Sequence, residues 1–186
     1  LQTPLFAMIH GLALGVFGRE LLVTRMLGAL LFAIICYLLY LFSEQMEVKG
    51  CGRLVLPLVF LLCFDYNVFY EYSCSILAVQ LFGMYRDVRF VRQRISTEQY
   101  FSVRYQLVTG LFAGAAIMCK QTFGGFVALA AWCSVLLLGF MYRQDRKNVR
   151  KAFFARLAGS SIPCFFVLFY LLGTGSWDDF IDMSLK

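Results

Sequence analysis

The sequence predicts an all-α protein, built as a polytopic bundle of transmembrane helices. Of its 186 residues, 61% are hydrophobic and 15% are charged, whereas an average soluble domain is about 45–50% apolar and about 25% charged. The mean hydropathy of +0.74 is too high for a single buried core. The basic residues also stand in short clusters between apolar runs, as expected when the apolar runs cross a membrane.

Six apolar runs have about the length that a helix needs to cross the hydrocarbon core, which is roughly 17–25 residues. They are Glu20–Ser43, Leu54–Phe69, Glu71–Asp87, Val103–Cys119, Thr122–Tyr142 and Phe153–Gly173. The second and third are short and are separated only by Tyr70, which predicts a tight helical hairpin. The preceding run, Pro4–Gly18, is apolar but too short to span. We expect it to form an interfacial, juxtamembrane helix that begins at Pro4 and ends at Gly18.

The orientation is predicted from lysine and arginine, because these residues are enriched in cytoplasmic loops. Thirteen of the seventeen lysine and arginine residues lie in three segments: two in Glu44–Arg53, five in Arg86–Arg104 and six in Arg143–Arg156. We therefore expect these three segments in the cytoplasm. The N-terminal segment, the turns near Glu71 and Lys120 and the C-terminal stretch are then expected outside.

Several classes of function find no support in the sequence. It contains no Walker loop, GxSxG, HExxH or Gly-rich dinucleotide motif. Its seven cysteines include no CxxC pair and lie mostly in apolar runs, which favours membrane-embedded side chains over disulfides or metal ligands. His10 is the single histidine, so we expect a packing or interfacial role for it and no histidine-rich metal site. The net charge is +6. The basic residues that produce it lie in clusters between apolar runs, so the charge does not indicate a nucleic-acid partner.

Four polar residues are the candidates for a binding site. Glu71 lies at the turn of the predicted hairpin, and Arg25 lies about one turn into the first run. Lys120 and Gln121 form the turn between the fourth and fifth runs. Ionisable groups beside hydrocarbon are costly and usually face a cavity or a partner. A lysine there suits a lipid phosphate, to which it offers a point charge; the alternative is that Lys120 only extends its ammonium to the interface.

Several stretches, taken in order, resemble the membrane part of the GT-C superfamily of glycosyltransferases. The opening "TPLFAMIHGLALGVFG" and the next stretch, "RELLVTRMLGALL" with Arg25, resemble the juxtamembrane helix and following span of bacterial glycosyltransferase family 39. Protein O-mannosyltransferases are relatives of that family. The stretch "GLFAGAAIMCKQT", Gly110 to Thr122, resembles a family signature that contains a lysine, and "LLGTGSWDDFIDMSL" resembles the outer end of a later span.

This resemblance implies transfer of a sugar from a polyprenyl-phosphate carrier to an acceptor on the outer face of the bacterial plasma (inner) membrane. Lys120 would contact the phosphate of this lipid donor, where a cation stabilises the charge that develops as the phosphate leaves. Glu71, Gln121 and Arg25 are the further candidates for substrate binding. No cofactor is predicted from the residues, and a divalent metal in the full-length protein stays an alternative.

The family's general base is an Asp in the first outer loop, and that region would precede Leu1. We therefore expect residues 1–186 to be an internal part of a single transmembrane domain and to be inactive alone. The first transmembrane helix, the first outer loop and the C-terminal part of the full protein would lie outside the chain.

A second class of function is a polytopic transporter or flippase for a lipid or a small solute. Such proteins often carry inverted repeats and helices that are interrupted near the midplane. No internal repeat is visible, and Pro57 and Pro163 lie near the cytoplasmic end or in the first half of their runs. A non-catalytic membrane scaffold is a third class, which would need no outer polar cluster.

Overall fold

The structure is a computed structural model that describes residues 4–18, 21–63, 71–177 and 180–181. Within these ranges every regular element is helical and no residue lies in a strand. The all-α prediction is therefore confirmed for the described part of the chain.

The helices follow one another with short connections. They are α1 (Pro4–Phe17), α2 (Leu21–Gln45), a 3₁₀ helix (Gly50–Leu54), α3 (Val55–Cys63), α4 (Glu71–Val91), α5 (Thr97–Tyr100), α6 (Val103–Cys119), α7 (Gln121–Met141) and α8 (Arg146–Thr174). The bounds of α1 agree with the prediction. Proline suits the first position of a helix, and Gly18 follows the last helical residue at φ 98°, which glycine adopts without strain. The interfacial location of α1 stays a prediction.

Among the helices that the structure describes, three, α2, α7 and α8, are long and apolar enough to cross a membrane. They correspond to the first, fifth and sixth predicted spans, except that α8 begins at Arg146 rather than at Phe153. This earlier start places basic residues of the predicted loop inside a helix.

The other three predicted spans are not confirmed. The apolar helix α6 has 17 residues and is shorter than α2, α7 and α8. The 9 residues of α3 precede residues 64–70, which lie outside the described ranges. Helix α4 has 21 residues but includes Glu71, Arg86, Asp87 and Arg89, which make it less apolar than a span. The total of six spans stays a prediction.

Contacts divide the chain into two compact units, Phe6–Ile95 and Ser96–Lys186, the second joined by Leu1–Leu5. In the Phe6–Ile95 unit, α2 packs against α3 and α4 around Ile35 and Ala78. The partly buried residues around this core are all aliphatic or aromatic: Leu31, Phe32, Leu39, Phe60, Leu77 and Leu81. The assignment of the whole chain to a single transmembrane domain stays a prediction.

In the Ser96–Lys186 unit, α6 packs against α7 and α8, and glycines allow the approach to α8. A Cβ atom on Gly110 would collide with the carbonyl oxygen of Arg156, and one on Gly114 would collide with that of Ser160. Residues four apart share one face of a helix, and this small-xxx-small spacing lets helix backbones approach closely in membranes. The close approach of α6 and α8 thus requires glycine, which has no Cβ atom, at these two positions.

Candidate functional site

Lys120 is the single residue between α6 and α7. Its backbone is extended, at φ −159° and ψ 113°. Its N–H donates to the carbonyl oxygen of Ala116 over 3.2 Å, and its own carbonyl accepts from the N–H of Gly124 over 2.7 Å. One residue therefore ends one helix and starts the next. The predicted turn is present at Lys120, while Gln121 is already the first residue of α7.

The side chain of Lys120 is half-buried. Its Nζ lies 5.1 Å from the centre of the Phe123 ring, a cation–π contact of the kind that contributes about 0.5–1 kcal/mol at exposed sites. A lysine cannot accept a hydrogen bond, and no side chain caps the first N–H groups of α7. The N-terminus of a helix carries partial positive charge. The C-terminus of α6 at the same break carries partial negative charge, so the net positive charge there comes from the Lys120 ammonium, which suits an anionic ligand.

Gly124 holds α7 close to α6 at the break. A Cβ atom on Gly124 would collide with the carbonyl oxygen of Ala116, whereas one on Gly125 would meet nothing within 4 Å. Ala116 is fully buried. The position of Lys120 is consequently set by direct backbone contact between the two helices.

Arg156 is the largest fully buried side chain in the described residues. Its Nε donates to Gln106 Oε1 of α6 over 2.7 Å, and its Nη1 donates to the carbonyl oxygen of Ala131 in α7 over 2.6 Å. Ser134 Oγ accepts from Nη1 over 2.8 Å, and the hydroxyl of Tyr100 accepts from Nη2 over 3.3 Å. One guanidinium from α8 thereby joins α5, α6 and α7.

The sequence did not predict this cluster, because Arg156 falls where the basic segment Arg143–Arg156 overlaps the apolar run Phe153–Gly173. The signal that could have found it is helical spacing. Ala152, Ala155, Arg156, Gly159 and Ser160 recur at intervals of three or four and are all buried. A stripe of small and polar residues on one face of an apolar helix indicates helix–helix contact. The arginine therefore lies on the packed face of α8 and not in a loop.

A second polar contact strengthens the same bundle. Trp132 Nε1 of α7 donates to Ser160 Oγ of α8 over 3.0 Å. The Ser160 hydroxyl donates in turn to the carbonyl oxygen of Arg156 over 2.9 Å. These bonds and those of the guanidinium join α6, α7 and α8 to one another. Lys120 lies at the break between the first two of these helices.

The other predicted binding residues belong to the Phe6–Ile95 unit. Arg25 is exposed in the second turn of α2. Glu71 is the first residue of α4, and its side chain lies outside the described residues. Within the Ser96–Lys186 unit the structure brings together Lys120 and Gln121, which are consecutive, and a site that combines all four stays a prediction.

His10 pairs with a neighbouring helix. Its Nε2 lies 2.8 Å from Thr24 Oγ1 of α2, and Thr24 is 8% exposed. This contact agrees with the packing role expected for the histidine. Among the residues the structure describes, no three His, Cys, Asp or Glu side chains are grouped as metal ligands would be.

Arg53 lies in the 3₁₀ helix that follows α2 and is bonded to residues near it in the sequence. Its Nε donates to the carbonyl oxygen of Val48 over 2.8 Å, and its Nη1 lies 3.4 Å from Glu44 Oε1. A side-chain hydrogen bond with Tyr40 raises the pKa of Arg53, and the Glu44 carboxylate adds to this effect. These bonds give Arg53 a role in the turn after α2.

Comparison with known proteins does not extend these observations. No family model, no curated protein and no solved structure matches the chain.

Proposed function

We propose that the chain is part of an integral-membrane glycosyltransferase that takes its sugar from a polyprenyl-phosphate-linked donor. The observation that carries the proposal is the half-buried Lys120 at the one-residue break between two apolar helices. The ordered resemblance to the GT-C superfamily supports it, since Lys120 stands where the family signature has its lysine.

In this proposal the main role of the chain is to bind the lipid-linked donor. As the sugar is transferred, negative charge grows on the carrier phosphate, and the Lys120 ammonium with the N-terminus of α7 stabilises it. Phe123 and Phe126 are 63% and 73% exposed and lie three residues apart on α7, so they offer an apolar surface beside the lysine for the isoprenoid tail. The general base would come from another part of the full-length protein.

The proposed arrangement in the membrane has six spans and a bacterial plasma-membrane location. Helices α2, α7 and α8 supply three of the spans, and α6 is a fourth candidate by composition. The basic segments Glu44–Arg53, Arg86–Arg104 and Arg143–Arg156 support a cytoplasmic location for that side. The turns at Glu71 and Lys120 would then face outward, where the donor and acceptor meet.

The test uses the full-length protein in sealed, right-side-out vesicles with a panel of polyprenyl-phosphate sugars added outside. We expect transfer by the unaltered protein. Lys120→Ala should raise the KM for the donor about tenfold, the effect of losing one charge-assisted contact, with membrane insertion unchanged. Lys120→Arg keeps the charge and should recover most of the donor affinity.

Three outcomes would contradict parts of the proposal. Unchanged donor saturation and turnover in Lys120→Ala would remove the lysine from the donor site. Transfer only in inverted vesicles would reverse the orientation. No transfer with any donor, combined with accumulation of a labelled lipid or solute across the membrane, would favour the transporter alternative.

A further inference from the structure

A groove lies at the end of the bundle where α7 turns into α8. It has a volume of about 470 Å³ and is lined by two kinds of side chain. The apolar part of the lining, the apolar wall, includes Leu136, Phe140 and Phe153, and the basic part, the basic wall, consists of Arg143, Arg146 and Arg150. The combination of an apolar wall with three cations matches a ligand that is itself half apolar and half anionic.

Two of the three arginines of the basic wall, Arg146 and Arg150, lie in the first two turns of α8, where their charges oppose the helix dipole. No acidic residue stands in the first turn of α8, and positive side chains are unfavourable at a helix N-terminus. Asp145 precedes the helix but makes no side-chain capping bond and does not line the groove. An anion in the groove would relieve the repulsion between the arginines and the helix end.

The apolar wall continues into the surface that α7 presents to its surroundings. Phe140 is 83% exposed and Leu136 is 46% exposed, and α7 is one of the helices of spanning length. The arginines therefore lie just beyond the end of an apolar span, which is the depth of lipid headgroups. Basic pockets between helices at this depth are suited to lipid phosphates.

We propose that this groove binds an anionic phospholipid, with the phosphate at Arg143, Arg146 and Arg150 and an acyl chain along Phe140 and Leu136. A membrane lipid is the occupant because it satisfies both walls, whereas a free phosphate would satisfy only the basic one. The site is separate from the break at Lys120 and does not depend on the proposed sugar transfer.

Helix α8 offers a matched pair of variants for the test. Arg146 and Arg150 line the groove, while Lys147 and Lys151 stand one residue further along, with the same spacing, and do not line it. All four side chains are exposed, so their replacement should leave the fold intact. Arg146→Gln/Arg150→Gln and Lys147→Gln/Lys151→Gln each remove two positive charges.

The measurement is retention of single lipid molecules by the chain in neutral detergent, read by native mass spectrometry during titration with phosphatidylglycerol or phosphatidylcholine. Neutral micelles have no surface potential that would attract every lysine alike. We expect the unaltered chain to prefer phosphatidylglycerol. The arginine pair should weaken its binding by about tenfold, and the lysine pair should change it by less than about twofold.

Equal losses in the two double variants would overturn the proposal, because they would indicate general charge attraction. Equal retention of the two lipids by the unaltered chain would overturn it as well. Inorganic phosphate at millimolar concentration is a competitor for the basic wall alone. Complete displacement of phosphatidylglycerol by it would assign the groove to a soluble anion and refute the lipid.

Discussion

In the Ser96–Lys186 unit the helices meet through glycines and a buried arginine, whereas in the Phe6–Ile95 unit they meet through aliphatic and aromatic side chains. At Gly114 an added Cβ atom would collide with the backbone of α8, but at Gly83 in α4 it would meet nothing within 4 Å. In the Phe6–Ile95 unit the rings of Phe32 and Phe60 fill the space between helices, 5.3 Å apart.

This difference shows how each unit responds to substitution. Where backbones touch, added atoms have no room, and the cost is that of overpacking. Where no atom lies near, as at Gly83, an added methyl group is tolerated, and where rings fill the space between helices, removed atoms leave a cavity. The buried arginine adds a further sensitivity, because its partners lose their donor when it is replaced.

The largest expected effect is at Arg156. Arg156→Ala removes the donor for Gln106, Ser134 and the Ala131 carbonyl and leaves the fully buried Gln106 amide oxygen without it. We expect the free energy of unfolding to fall by about 3 kcal/mol or more, since hydrogen bonds to charged groups contribute about 1.5–3 kcal/mol each. Thermal unfolding in detergent micelles checks this.

Two controls sharpen the result at Arg156. Arg156→Lys keeps the charge but loses the planar fork of donors, so it should recover only part of the stability. Lys151→Ala, at an exposed position of the same helix, should change stability by less than about 0.5 kcal/mol. A melting temperature of Arg156→Ala equal to that of the unaltered chain would show that the cluster does not stabilise the bundle.

The next effect contrasts the same substitution in the two units. Gly114→Ala should lower the free energy of unfolding by about 1–3 kcal/mol because α6 and α8 must separate. Gly83→Ala should be neutral or raise it by up to about 1 kcal/mol, since alanine favours helix over glycine. Both are read from thermal unfolding under the same conditions. Equal shifts for the two variants would break the contrast drawn between the units.

The smallest effect concerns the polar contact in the Phe6–Ile95 unit. Thr24→Val keeps the shape of the side chain but removes the hydroxyl that pairs with His10. The expected loss is about 1 kcal/mol, with faster hydrogen exchange in α1 as a second readout. Thr122→Val, at an exposed position in α7, is the matched control, and an equal loss there would mean that the His10 contact contributes nothing.

Local signals in the sequence predicted the helix bounds well where they were strong. Pro4 and Gly18 bracket α1 as expected, and the polar pair at Lys120 and Gln121 falls at the break between α6 and α7. The helix that contains the last predicted span begins earlier than the span itself, because the basic residues from Arg146 onward are helical, and the membrane boundary of the span stays a prediction. Charge alone does not separate a loop from the polar end of a long helix.

The candidate site was predicted in part. Lys120 lies between two helices, as its position between apolar runs indicated. Its contact with Phe123 follows from their spacing of three residues at the start of α7. Arg156 falls both in the basic segment Arg143–Arg156 and in the predicted span Phe153–Gly173, and only the packing shows that its side chain is buried. The glycines of "GLFAGAAIMCKQT" were interpreted through a family resemblance, whereas in the structure Gly110 and Gly114 bring α6 onto α8.

The sequence by itself determined that the chain is helical and apolar, where α1 begins, where α6 begins and ends, and which residues interrupt the apolar runs. These properties depend on composition and on neighbours within a few residues. Only the tertiary structure decided that Arg156 is buried among Tyr100, Gln106 and Ser134, and that α7 and α8 form a groove with basic and apolar walls. Such features require residues tens of positions apart to meet, and helix packing brings them together.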